Sequence, residues 1–91
     1  MNLIVPSVQA RVRKSAGNTV YRASYSRPPG ILDISANLQS WTGTQTTHGR
    51  MLVTHADEHG IEVRLPREAQ GIYRLEIRDG EQVIRQQLLL Q

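Results

Sequence analysis

Apolar residues fall on every second position through most of this chain. In "IEVRL", Ile61, Val63 and Leu65 share one side, and Glu62 and Arg64 take the other. "SVQARVR" repeats the pattern, with Val8, Ala10 and Val12 against Gln9, Arg11 and Arg13. Side chains of a β-strand alternate between two faces, whereas an amphipathic helix needs spacings of three and four. A chain written this way builds sheets with one dry face and one wet face. "TVYRASY" groups Tyr21, Ala23 and Tyr25, and "ILDISANL" sets Leu32, Ile34, Ala36 and Leu38 against Asp33, Ser35 and Asn37. "RMLVTH" is a further short strand.

Turn and breaker signals divide these runs. "KSAGN" and "ADEHG" are turns, Pro28-Pro29-Gly30 stops a ladder, and Pro66 ends "IEVRL". Pro6 places the first strand at a sheet edge or at a switch between sheets. "QSWTGTQTTHG" is either a long loop or an edge hairpin, and "REAQG" holds at most one helical turn. About seven strands separated by turns every 8–12 residues describe an all-β chain, a small immunoglobulin-like antiparallel β-sandwich. A partly open barrel of about five strands is the other architecture. With 91 residues this is one domain, 1–91.

The chain closes on a hairpin, "GIYRLEIRDGEQVIRQQLLLQ". Asp79-Gly80 is a favoured two-residue turn. That loop sets Leu75 against Ile84 and Tyr73 against Gln86, and carries Leu88 and Leu90 onto the inner face. The strand from Arg85 onward has no acid and no proline, so an open edge there would be an aggregation hazard. Its far side is expected to meet "SVQARVR" or a neighbouring subunit, which makes Leu88 and Leu90 candidate interface residues.

Charge points toward surface recognition. Ten of the eleven cations are arginine, Lys14 is the single lysine, and the formal charge is +3. Arg11, Arg13, Arg64, Arg74 and Arg78 all take outward positions. They form either a solvated face with cross-strand ion pairs or a basic stripe for an acidic protein surface or a nucleic acid. Tyr21, Tyr25 and Tyr73 read as buried, which leaves little to stack on bases and disfavours nucleic acid. Trp41, the single tryptophan, either caps the core or anchors an interface.

Catalytic and metal chemistry find little support. "THADEHG" brings His55, Asp57 and His59 close in sequence, with His48 nearby, and a metal could use them. The same residues also suit an ordinary polar turn. No nucleophile elbow, phosphate loop or dinucleotide fingerprint is present, and the strand carboxylates point outward. The expectation is a protein that is not an enzyme and takes no cofactor. There is no cysteine, hence no disulfide or thiolate site. No stretch approaches the roughly 20 apolar residues of a membrane-spanning helix. The opening "MNLIVPSVQARVRK" does not read as a signal peptide, so a complete chain would be cytoplasmic or virion-associated.

The second half, Gly49 to Gln91, resembles the end of many immunoglobulin-like modules: a short strand, "GIEVRLP", "GIYRLEIRDG" and a terminal strand. Two groups share that shape, the immunoglobulin-like modules of phage virions and baseplates and the C-terminal sorting domains of type IX secretion cargo. In both, Gly71 would turn the chain into its strand and Tyr73 would bury its ring at a corner. The "SRPPG" here departs from the "PNP" element of the sorting domains. The resemblance implies a non-catalytic structural and interaction module that docks into a larger assembly, such as a capsid decoration or baseplate protein. A secretion sorting domain and a nucleic-acid-binding small barrel are the alternatives. Protein partners, or self-assembly by edge strands, are expected.

Overall fold

A computed structural model of the chain describes residues 3–4, 8–27, 34–40 and 49–91. Its elements are β1 (Leu3–Ile4), β2 (Gln9–Ser15), β3 (Asn18–Ser24), β4 (Ile34–Ser40), β5 (Arg50–Asp57), β6 (Gly60–Leu65), β7 (Gly71–Asp79) and β8 (Gln82–Leu90). The strands form one sheet in the order β1-β8-β7-β4-β5-β6-β3-β2. The seven longer strands run antiparallel, and the sheet curls into a half-barrel. Only the two-residue β1 lies parallel to its neighbour, with Leu3 beside Gln82 and Ile4 beside Val83. The fold is all-β, as the alternation requires.

β5 makes the curl. Its start pairs with β4 through Met51 and Ala36, while Leu52 to Asp57 pair with β6. The ladder slips between Val53 and His55, which leaves Thr54 as an extra residue. Such a bulge bends its strand and tightens the local twist. Inner-face side chains therefore converge: Tyr21, Leu38, Ile61, Val63, Leu75 and Ile77 are fully buried. Tyr21 donates from β3 to Gln86 Oε1 on β8 at 2.5 Å, across the interior between strands far apart in the sheet order.

Two hairpins are held by backbone geometry. Gly60 follows the Glu58-His59 turn and lies directly beside β3; a Cβ there would stand 2.1 Å from the Ala23 carbonyl oxygen. The β7–β8 turn is Gly80-Glu81, with Asp79 paired to Gln82. Gly80 has φ of 61° and Glu81 no positive φ, the type II′ pattern.

That hairpin moves the turn one residue on from the expected Asp79-Gly80 and so shifts each cross-strand pairing by two residues. Ile77 faces Ile84, Leu75 faces Gln86 and Tyr73 faces Leu88. Asp79 is not a central turn residue because its carboxylate is occupied inside the protein, as described below. The far side of β8 is also not beside "SVQARVR": that segment is β2, at the opposite end of the sheet, and β1 meets β8 instead. Leu88 and Leu90, candidate interface residues from the sequence, are 6% and 3% exposed, and their side chains belong to the chain's own core. Leu89, on the outer face, is 64% exposed.

Candidate interaction surface

The outer face of β2, β3, β6 and β5 gathers arginines by register. One row runs Arg11, Arg22, Glu62, His55, and the next runs Arg13, Val20, Arg64, Leu52. Inner-face residues of the same strands, Tyr21, Ala23, Ile61 and Val63, are fully buried, so these rows must face solvent. Glu62 serves two cations, Arg22 at 3.3 Å and Arg13 at 3.7 Å. Arg11 stands directly opposite Arg22, a like-charge cross-strand pair that is unfavourable without an anion. A shallow depression of 570 Å³ lies here, lined by Gln9, Ala10, Arg11, Arg13, Arg22 and Ser24. The expected outward placement of Arg11, Arg13 and Arg64 is observed. Arg22 joins them because β3 lies between β2 and β6.

Arg74 and Arg78 lie elsewhere, on the outer face of β7. There Glu76 accepts from Arg85 Nε at 2.9 Å and from Arg78 Nε at 3.1 Å. The Arg85 and Arg78 guanidiniums hold its carboxyl below the usual range. The expected basic stripe is thus two separate patches. Beyond Arg74 on this face, Ile72 and Leu89 form a cross-strand pair, 41% and 64% exposed.

One end of the half-barrel holds a buried charge cluster. Arg27 binds Asp79 through two bonds, Nε to Oδ2 at 2.7 Å and Nη2 to Oδ1 at 3.1 Å. Tyr25 Oη donates to the same carboxylate at 2.6 Å, and Arg27 Nη1 donates to the Asp57 carbonyl at 3.1 Å. Backbone bonds from Tyr25 to His59 and from Arg27 to Glu58 fasten the same end. Burial alone would raise the Asp79 pKa, but the Arg27 and Tyr25 bonds outweigh it and hold it low. Burial, with help from Asp79, pushes the Tyr25 hydroxyl well above its ordinary range. These contacts tie the segment after β3 to the β5–β6 and β7–β8 turns. Sequence reading missed Arg27, whose neighbours "SRPPG" signal only a chain break.

His55, Asp57 and His59 do not converge as ligands. His55 Nε2 sits 2.9 Å from Asp57 Oδ2, but His59 contributes its backbone N–H, to Asp57 Oδ1 at 2.8 Å. These bonds, the His55 one first, lower the Asp57 pKa to about 2. Among the described residues no three His, Asp or Glu side chains gather around a common point. Trp41 and His48 lie outside the described residues. Tyr73 is buried, and Gly71 opens β7 with φ of 110°, a conformation other residues rarely adopt. Among the described residues no helix is long and apolar enough to cross a membrane. Comparisons with protein-family models, with curated proteins and with solved structures gave no match.

Proposed function

We propose that the chain is an immunoglobulin-like sandwich module that docks, without chemistry of its own, into a larger assembly of the virion kind. The strand order supports the sandwich reading. β2-β3-β6-β5 and β4-β7-β8 correspond to the four-strand and three-strand sets of a seven-stranded immunoglobulin-type domain. The observation that carries the docking reading is the outer face on which Arg11, Arg13, Arg22 and Arg64 share one row pair with Glu62. Arginine forks read carboxylates bidentately, and a rigid sheet fixes their spacing before contact. A positively charged face of this kind selects a partner by charge complementarity.

The test is sedimentation of source-cell lysate through a density gradient. The unaltered chain should travel with a large particle, and Arg11→Glu/Arg22→Glu should shift it to the free fractions. A chain that stays free in both forms refutes the reading. Retention on duplex DNA, with affinity falling steeply as salt rises, would replace the protein partner with nucleic acid.

A further inference from the structure

We infer that the free edge of β2 is a strand-addition site for an extended acidic peptide segment whose Asp or Glu residues alternate with apolar ones. The inference rests on the docking reading and names the partner's chemistry. β2 ends the sheet, and no described strand pairs with its far side. Its hairpin closes with Ser15 opposite Asn18 around the two-residue Ala16-Gly17 turn. In an antiparallel ladder, alternation then turns the Arg11 and Arg13 main chains toward β3. The N–H and C=O groups of Ala10, Val12 and Lys14 point to the open edge.

Side chains along that edge specify the occupant. Arg11 and Arg13 stand on the outer face, both exposed, and Arg13 keeps 64% of its side chain in solvent despite Glu62. Val12 is on the inner side and is still 39% exposed, an apolar position that no described strand covers. The depression beside Arg11 and Arg22 extends to Ala10, so it reaches the rim of the sheet. An incoming antiparallel strand would place its residues opposite Arg11 and Arg13 in the closer, non-hydrogen-bonded pairs, where opposite charges interact best. Its intervening residues would fall beside Ala10 and Val12. A second β2 would set cations against cations, so the edge that accepts an acidic strand rejects its own copy. Main-chain bonds would supply affinity and the arginines would supply selection.

The experiment uses the whole chain and a capped peptide of about nine residues alternating Glu and Val, with Lys/Val and backbone N-methylated Glu/Val versions as controls. Fluorescence anisotropy should show binding of the Glu/Val peptide alone, and amide exchange at Ala10, Val12 and Lys14 should slow on binding. Arg11→Glu/Arg13→Glu, with an unchanged circular dichroism spectrum, should bind Glu/Val roughly tenfold more weakly and gain the Lys/Val peptide. The inference falls if Glu/Val does not bind, if N-methylation leaves binding intact, or if poly-Glu or single-stranded DNA binds equally without slowing those amides. A chain that still sediments with a particle after such a result keeps the docking reading and loses only the β2 edge.

Discussion

Asp79 shows how much a single polar side chain decides here. With 6% of its side chain exposed it accepts three bonds, two from Arg27 and one from Tyr25. An ion pair this buried is costly to half-remove, because the surviving charge has no water to turn to. Asp79→Asn should lower unfolding free energy by about 3–5 kcal/mol, read from urea midpoints. The paired replacement Arg27→Met/Asp79→Leu should recover most of that loss. Because the folded Asp79 pKa is depressed, its contribution is present above the unfolded carboxylate value of about 3.9. It is lost as pH falls through the lower folded value, so urea midpoints should decline from about pH 4 downward, and less steeply in the double variant. Asp57 shifts in the same direction, but it is exposed and adds little. None of this was legible in "SRPPG", since residue type and spacing say nothing about a partner 52 positions away.

Individual elements were easier to read than their pairings. Alternation located β2, β3, β4, β6 and β7 within a few residues, and it put Leu88 and Leu90 on the inner face of β8. The hairpin pairing differs from the expected one by two residues, because a favoured Asp-Gly turn competes with the demand that Asp79 reach Arg27. The shifted register sets Ile77 against Ile84 and Tyr73 against Leu88, a better-matched inner face than the one expected. Leu88→Asp should therefore unfold much of the population, costing more than about 3 kcal/mol, while Leu89→Asp stays within about 0.5 kcal/mol of the unaltered chain. Equal effects in thermal melts would reject the inward placement of Leu88. The β2–β3 turn carries a correctable flaw. Ala16 has φ of 50° and Gly17 of 81°, the type I′ pattern, and alanine is poorly suited to the first position. Ala16→Asn should raise stability by roughly 0.5–1 kcal/mol, measurable as a higher urea midpoint at unchanged slope.

At the scale of the whole molecule, the half-barrel is closed by contacts that no single strand predicts. Tyr21 and Gln86 join β3 to β8 through the interior, and burial pushes the Tyr21 hydroxyl up to about 12, so it remains a donor at neutral pH. A double-mutant cycle with Tyr21→Phe and Gln86→Leu should give a coupling energy of about 1 kcal/mol. A coupling near zero would mean that the two halves are held by apolar packing alone. Sequence by itself determined that this protein is built from strands, where most of them lie, most of the dry side chains, and that Arg11, Arg13, Arg64, Arg74 and Arg78 face outward. Those properties are local, because a pleated strand alternates its faces wherever it is placed. Only the tertiary structure decided that β1 rather than β2 lies beside β8, that the arginines divide into two patches, and that Arg27 is buried on Asp79. Those outcomes depend on which distant strands become neighbours, and that choice is set by how the whole curled sheet fills its interior and satisfies its buried charges.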